Sequence, residues 1–173
     1  MILSIVIAAV VLAADQLTKH WAQNILQPIL DIPLWDGVFH FHYARNTGAA
    51  FSMLEGQSWV FYIFTVVVVA VMGWYLVKNF RTMHPLLKVN LGLIIGGAVG
   101  NFIDRVMLGY VVDFLYVKII NFAIFNVADS ALVVGCILLA VYILFIHDKY
   151  TESLKKVEDT DESDGGNDQP DLQ

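Results

Sequence analysis

Cysteine is nearly missing from this chain of 173 residues, which contains Cys136 alone. A single thiol excludes a disulfide framework and a cluster of thiolate metal ligands, and its apolar neighbours indicate a small hydrophobic residue inside a helix. Charge is also scarce, because charged residues make up 15% of the chain and hydrophobic residues 58%. Soluble domains carry about a quarter charged residues. Together with a mean hydropathy of +0.66, this composition excludes an ordinary cytosolic domain.

Positive charge shows no stripe or cluster of the kind that binds nucleic acid, and the sequence pI is about 5.1. The net charge of −6 comes wholly from the segment beyond Ile146, where nine acidic residues accompany three lysines. We therefore exclude nucleic acid as a partner. Residues 148–173 are acidic and contain few apolar residues, which predicts a disordered cytoplasmic tail.

Sequence motifs of several hydrolases and of nucleotide-binding proteins are missing as well. The chain has no His-Glu-x-x-His pattern, no Gly-x-Ser-x-Gly and no phosphate-binding glycine loop followed by Lys-Ser or Lys-Thr. His40 and His42 fall on one strand face, but two such side chains are better interpreted as polar surface residues than as metal ligands. We expect neither a metal site nor an organic cofactor.

Long apolar runs dominate the chain instead. A membrane-spanning helix needs about 20 mostly apolar residues, and four segments qualify: residues 2–21, 59–77, 89–106 and 127–146. The first is predicted to be a retained anchor rather than a cleaved signal peptide, since no Lys or Arg precedes it and its helical pattern continues beyond residue 14. The fold class is therefore a mainly α membrane protein with four transmembrane helices.

The distribution of Lys and Arg near the span ends predicts the orientation, because these residues accumulate on the cytoplasmic side. Six lie on the side of the second loop and the C-terminal tail, and four lie on the other side. The six are Lys78, Arg81, Lys88, Lys149, Lys155 and Lys156, and the four are Lys19, Arg45, Arg105 and Lys118. Both termini are thus predicted to be cytoplasmic, with the connections 22–58 and 107–126 outside.

These outer connections have the pattern of strands. Residues 38–43 alternate between apolar and polar side chains, and residues 111–125 are rich in β-branched and aromatic residues. An outer β-region is therefore predicted within 36–57 and 108–126. Pro28 and Pro33 prevent one continuous helix over 27–35, although a short amphipathic piece on the membrane interface fits there. Residues 1–147 are predicted to form one membrane domain.

Several polar residues lie against the spans, where charge is costly. Asp15 and Lys19 are four residues apart on one helical face and predict an ion pair. Asn101, Asp104 and Arg105 also share a face, and both an ion pair and a functional site stay open for Asp104 and Arg105. They follow four glycines whose spacing is typical of tightly packed membrane helices: Gly92, Gly96, Gly97 and Gly100.

Two further aspartates lie near the outer ends of spans. Asp129 begins the fourth span, where a helix cap is the simpler interpretation for this residue alone. Asp113 is surrounded by large apolar residues, and no Lys or Arg follows before Lys118. Two carboxyls without nearby cations suggest a pair that shares a proton, in which one acts as a base on water and the other donates to a carbonyl.

Two other classes of protein are alternatives to an enzyme. A proton- or ion-coupled transporter subunit would have carboxylates near the membrane midplane, whereas Asp15, Asp104, Asp113 and Asp129 fall toward the outer ends of spans. A non-catalytic helical scaffold would use these groups as structural ion pairs, which does not explain an Asp113 without a local cation.

Five ordered blocks of sequence resemble the lipoprotein signal peptidase (signal peptidase II) family of bacterial membrane aspartyl peptidases. The blocks are Asp-Gln-Leu-Thr-Lys at 15–19, Asn-Thr-Gly-Ala-Ala-Phe at 46–51, Gly-Gly-Ala-Val-Gly-Asn-Phe-Ile-Asp-Arg at 96–105, Val-Val-Asp-Phe at 111–114 and Phe-Asn-Val-Ala-Asp-Ser at 125–130. They extend from the first span to the last. Tyr116 departs from the pattern, since many relatives have an acid there.

The resemblance implies roles for individual residues. Asp113 and Asp129 would be the catalytic pair, with Asp15 and Lys19 as supporting residues of the first span. The residues that would line and order the site are Asn46, Gly97, Asn101, Arg105 and Asn126. Asp104 would support Arg105 and helix packing.

The resemblance also implies the architecture and the reaction. The family has four transmembrane helices, an extracytoplasmic β-cradle and a short interfacial helix. Its members cleave diacylglyceryl-modified prolipoproteins before the lipidated cysteine, need no cofactor, and are inhibited by cyclic peptide antibiotics of the globomycin type. This chain would accordingly lie among the lipids of the bacterial cytoplasmic (inner) membrane, as a monomer, with its active site near the outer face.

Overall fold

A computed structural model describes residues 1–48 and 58–164 of the chain. The helices are α1 (Ile2–Trp21), α2 (Ser58–Asn79), α3 (Pro85–Leu108), α4 (Val127–Val141) and α5 (His147–Asp164). The strands are β1 (Asp31–Trp35), β2 (Phe39–Asn46) and β3 (Val111–Val117). A π-helical turn, Ala22–Leu26, prolongs α1, and a second one, Tyr142–Ile146, joins α4 to α5.

Four helical segments of the described chain are long and apolar enough to cross a membrane. They are Ile2–Leu26, Trp59–Asn79, Pro85–Leu108 and Val127–Lys156. The prediction of four spans is therefore confirmed. The third span begins at Pro85, where the missing N–H costs nothing, and it ends at Leu108, before Gly109, whose φ of 80° suits a glycine.

Glycines on α3 allow two other spans to pack closely against it. A Cβ at Gly92 or Gly96 would lie 2.8 Å from a carbonyl oxygen of α1, and a Cβ at Gly97 would lie 2.5 Å from the carbonyl oxygen of Ala128 in α4. Such contacts are too short for any side chain, so these glycines permit the close approach of α1 and α4. The interpretation of the glycines as packing residues is confirmed.

The strands form one antiparallel sheet in the order β1-β2-β3. Buried residues of the sheet, among them Tyr43, Val112 and Phe114, pack against Ala22 and Leu26 at the end of the first span. This core fixes the sheet to the ends of the membrane helices. The prediction of strands over 38–43 and within 111–125 is confirmed by β2 and β3.

The structure differs from the sequence-based expectations at three places. Strand β1 lies before the predicted β-region, and its Pro33 is tolerated because β1 is an edge strand. The predicted disorder from residue 148 is wrong up to Asp164, because the helix of the fourth span continues as α5. No separate interfacial helix occurs between Leu26 and Gly48, where β1 and β2 lie; residues 49–57, the rest of this connection, are outside the described residues.

Candidate active site

Asp113 lies in the middle of β3 and is almost fully buried, with 1% of its surface exposed. Its sequence neighbours are apolar, so its hydrogen-bond partners come from elsewhere in the chain. The side-chain amide of Asn46, at the end of β2, donates to Asp113 Oδ2 over 2.9 Å, and the amide of Asn126 donates to Oδ1 over 2.7 Å. Two distant segments thus satisfy a carboxyl that has no local partner.

Asp129 occupies the third position of α4 and forms a capping box with Asn126. The backbone N–H of Asn126 donates to Asp129 Oδ2 over 3.1 Å, and the backbone N–H of Asp129 donates to Asn126 Oδ1 over 2.9 Å. The side-chain amide of Asn101, on α3, donates to the other carboxylate oxygen over 2.7 Å. The interpretation of Asp129 as a capping residue is therefore correct, and it does not exclude a role in a site.

Asn126 brings the two aspartates together, because its side chain contacts Asp113 while its backbone contacts Asp129. Each of the four carboxyl oxygens accepts a hydrogen bond from an N–H group. Within residues 1–48 and 58–164, no Lys or Arg forms an ion pair with either aspartate. The two carboxyls are thus connected through Asn126, and neither is paired with a cation of the described residues.

Burial raises the pKa of the Asp113 carboxyl, and the nearby charge of Asp129 raises it further, to about 7. The amides of Asn46 and Asn126 act in the opposite direction, since they stabilise the ionised form. An Asp113 carboxyl with this pKa is protonated in part of the molecules at neutral pH, where an ordinary aspartate is ionised. The pair can therefore hold one protonated and one ionised carboxyl at the same time.

A buried cation, Lys19, is connected to the pair through one residue, Asn101. Lys19 Nζ forms ion pairs with Asp15 at 2.9 Å and with Asp104 at 3.1 Å, and it donates to Asn101 Oδ1 over 2.8 Å. Asn101 in turn contacts Asp129. The predicted pairing of Asp15 with Lys19 is confirmed, and Asn101 connects this ion cluster to the carboxyl pair.

Asp15 has a second contact that helps to position α4. Its Oδ1 accepts a hydrogen bond from the backbone N–H of Ala128 over 3.0 Å. That N–H belongs to the first turn of α4, where backbone donors lack helical partners. A Cβ at Gly100 would lie 2.5 Å from Asp15 Oδ2, so glycine is required where this carboxylate crosses α3. The first span therefore fixes the start of the helix that carries Asp129.

Asp104 and Gln16 have contacts that sequence reasoning missed. We expected Asp104 to support Arg105, but its carboxylate pairs with Lys19 and accepts a hydrogen bond from the backbone N–H of Val112 over 3.0 Å. The amide of Gln16 donates to Asp104 over 3.1 Å and to Asp15 over 3.2 Å. Asp104 thus ties β3, which carries Asp113, to α3. Only the position of Gln16 beside Asp15 could have indicated its role.

Arg105 and Gly97 lie at the margin of the pair. The Arg105 guanidinium donates to the backbone oxygens of Asn101 and Gly48 over 3.3 and 3.4 Å, and it lies over the Phe61 ring at 4.6 Å. It therefore links α3 to α2 and to the segment after β2. Gly97 contacts the start of α4 rather than a carboxyl.

The two histidines of β2 contact a carboxylate of the neighbouring strand β1. Nδ1 of His40 and Nδ1 of His42 lie 2.8 and 3.0 Å from the oxygens of Asp31. His40 is only 2% exposed, so its interpretation as a surface residue is wrong. In the described part of the chain, no three His, Cys, Asp or Glu side chains are placed to hold a metal ion.

The fold and this site define a class of protein. A pair of carboxyls, linked by hydrogen bonds and able to share one proton, is the arrangement of aspartic peptidases, which use one as a base and the other as an acid. Here the pair lies where a membrane-spanning helix begins and beside a small sheet. The class is therefore that of membrane aspartic peptidases.

Comparisons with known proteins identify the family within this class. The family model for signal peptidase (SPase) II matches residues 7–145. The lipoprotein signal peptidase of Geobacillus kaustophilus is 48% identical over 141 residues, which cover 80% of this chain and 91% of that protein. The lipoprotein signal peptidase of Bacillus subtilis is 45% identical over 140 residues, which cover 80% and 90%.

A solved structure supports the same assignment. It is a bacterial membrane enzyme, studied by the in meso method at 2.3 Å resolution, with 34% sequence identity and a TM-score of 0.75. The match covers 82% of this chain and 87% of that one. The chain belongs to the signal peptidase II family of aspartic peptidases, the lipoprotein signal peptidases.

Proposed function

We propose that Asp113 and Asp129 are the catalytic pair with which this peptidase removes the signal peptide from diacylglyceryl-modified prolipoproteins. The cleaved bond is the one immediately before the lipidated cysteine. The observation that carries the proposal is the double contact of Asn126, whose side chain binds Asp113 and whose backbone binds Asp129. This contact links a carboxyl of β3 to a carboxyl of α4 through one residue.

The surroundings of each carboxyl favour a division of roles. Asp129 lies in the first turn of α4, where the helix dipole and a backbone N–H stabilise a negative charge, so it is the ionised base. Asp113 is the protonated partner, because burial and the charge of Asp129 raise its pKa to about 7.

The reaction then follows in two proton transfers. Asp129 takes a proton from water while the water oxygen bonds to the scissile carbonyl carbon, and Asp113 donates a hydrogen bond to the carbonyl oxygen as negative charge develops there. When the tetrahedral intermediate collapses, Asp129 returns its proton to the departing amide nitrogen and the carbon–nitrogen bond breaks. Acid–base catalysis of this kind contributes about 10²–10⁴-fold to the rate.

The remaining site residues position the pair. Asn101 accepts a hydrogen bond from Lys19 and donates one to Asp129, and Asn46 donates to the second oxygen of Asp113. Asp15 fixes the start of α4. None of these roles requires contact with the substrate, so we assign them as positioning residues.

The placement of the pair suits a substrate that remains in the bilayer. The first and third spans end, and the fourth begins, on the side of the sheet and of Asp129. The excess of Lys and Arg on the opposite side favours cytoplasmic termini and a catalytic pair near the outer face of the bacterial cytoplasmic membrane. A monomeric enzyme and inhibition by cyclic peptides of the globomycin type remain predictions from the family.

The test uses one prolipoprotein in two forms, with and without the diacylglyceryl group. The purified enzyme is expected to cleave the lipidated form before the cysteine and to leave the unmodified form intact. Equal cleavage of both forms would contradict the assigned substrate. Cleavage of neither, together with proton uptake into liposomes, would favour a transporter instead.

A further inference from the structure

A cavity lies among the spans, at the end of α3 that is remote from the catalytic pair. Its volume is about 330 Å³. Three helical segments line it: α2 through Tyr75, α3 through Leu87 and Leu91, and the α4–α5 region. The residues from that last region are Leu139, Tyr142, Ile143 and His147. Because Ile143 is 56% exposed on a membrane-spanning segment, the cavity is accessible from the lipid.

The cavity and the catalytic pair lie along the same face of α3. Asn101, which binds Asp129, is followed toward the start of the helix by Gly97, Ile94, Leu91 and Leu87, at steps of three and four residues. Residues with this spacing share one helical face. Gly97 and Ile94 contact α4, at Ala128 and Gly135, so this face follows the boundary between α3 and α4.

The length of this face corresponds to the length of a signal peptide core. Leu87 and Asn101 are fourteen residues apart, which corresponds to about 21 Å along a helix. The apolar h-region of a signal peptide has about 7–15 residues, or roughly 10–22 Å when helical. A signal peptide whose carboxyl-terminal end is held at the pair therefore extends far enough to reach the cavity.

We infer that this cavity binds the amino-terminal part of the h-region of the substrate's signal peptide. The inference rests on the proposed function, because it requires the scissile bond to lie at Asp113 and Asp129. The chemistry of the lining agrees, since mainly Leu, Ile and Tyr side chains offer apolar contacts to an apolar helix. An acyl chain of a membrane lipid is the competing occupant, and the test separates the two.

The test compares two adjacent substitutions in the purified full-length enzyme. Ile143→Trp fills the rim of the cavity, and Leu144→Trp is its matched control, because Leu144 is 73% exposed and does not line the cavity. Each variant and the parent are assayed on a complete lipidated prolipoprotein and on a lipidated peptide that begins in the middle of the h-region. Loss of one apolar contact of this kind changes kcat/KM by about tenfold.

Two results together support the inference. Ile143→Trp lowers kcat/KM about tenfold on the complete substrate and leaves the shortened substrate unaffected, whereas Leu144→Trp changes neither. The parent also loses about tenfold on the shortened substrate, and Ile143→Trp shows no further loss. An equal decrease of kcat/KM on both substrates would overturn the inference. It would mean that the cavity holds a lipid or that Ile143 has a structural role.

A parent rate on the complete substrate with Ile143→Trp would overturn it as well, while the proposed function would stand. If the parent cleaves neither substrate, the proposed function fails first and the inference fails with it. Thermal unfolding is the control for folding. Both variants should unfold at the same midpoint temperature as the parent enzyme.

Discussion

Replacing Asn126 separates the two tasks that its side chain performs. Its Oδ1 accepts from the backbone of Asp129 at the start of α4, and its Nδ2 donates to Asp113. Asn126→Ala removes both contacts. Asn126→Ser keeps a capping oxygen, since serine is among the favoured capping residues, but its hydroxyl is too short to reach Asp113.

The structure gives the expected magnitudes. Loss of a helix cap costs about 1 kcal/mol of the free energy of unfolding, and a buried carboxyl left without its donor costs about 1–3 kcal/mol more. Asn126→Ala should therefore be less stable than the parent by about 2–4 kcal/mol. Asn126→Ser should recover about 1 kcal/mol of this loss. Both variants should lose activity by about 10²-fold, because a displacement near 1 Å has that effect on a catalytic group.

Denaturant unfolding in detergent and cleavage of a lipidated prolipoprotein provide the two measurements. Ser130→Ala is the control, since the Ser130 hydroxyl donates to the backbone oxygen of Asn126 over 2.9 Å, and its loss leaves the Asn126 amide in place. It should retain parent activity. If Asn126→Ser cleaved the substrate at the parent rate, the role of Asn126 in joining the carboxyls would be refuted.

Three further predictions follow from the same contacts. Because the protonated form of Asp113 is required and its pKa is about 7, kcat/KM should fall about tenfold per pH unit above pH 7, and a pH-independent rate up to pH 9 would contradict this. Lys19→Met leaves Asp15 and Asp104 unpaired, so it should lower the free energy of unfolding by about 3–5 kcal/mol. Lys156→Met, at an exposed pair, should lower it by less than about 1 kcal/mol; equal losses would refute the burial argument. Gly97→Ala should reduce activity, because its Cβ would lie 2.5 Å from a backbone oxygen of α4, whereas Gly73→Ala meets nothing within 4 Å and should retain it; equal activities would contradict the packing argument.

Most of the fold could be predicted because its determinants are local. Four apolar runs define the spans, and the alternation in residues 38–43 defines β2. Strand β1 was missed since it depends on pairing with β2 rather than on its own pattern, which Pro33 interrupts. The helix α5 was missed because α4 and the turn Tyr142–Ile146 continue into it, whereas its own composition favours disorder.

The sequence indicated several members of the candidate site but not the contacts between them. A charge against an apolar span is costly wherever it lies, so Asp15, Lys19 and Asp113 were conspicuous in the sequence. The pairing of Asp104 with Lys19 was not evident, because Lys19 lies on another helix and the sequence does not indicate where the two helices cross. The burial of His40 was likewise missed, since it depends on the packing of the sheet around that side chain.

The catalytic role proposed for the two aspartates is tested most directly by replacing each with the isosteric amide. Purified Asp113→Asn and Asp129→Asn should remain folded, since an amide retains the shape of the carboxyl and the one acceptor that each variant loses costs only about 1–3 kcal/mol. Neither should cleave a diacylglyceryl-modified prolipoprotein at a measurable rate. Cleavage at the parent rate by either variant would contradict the central claim.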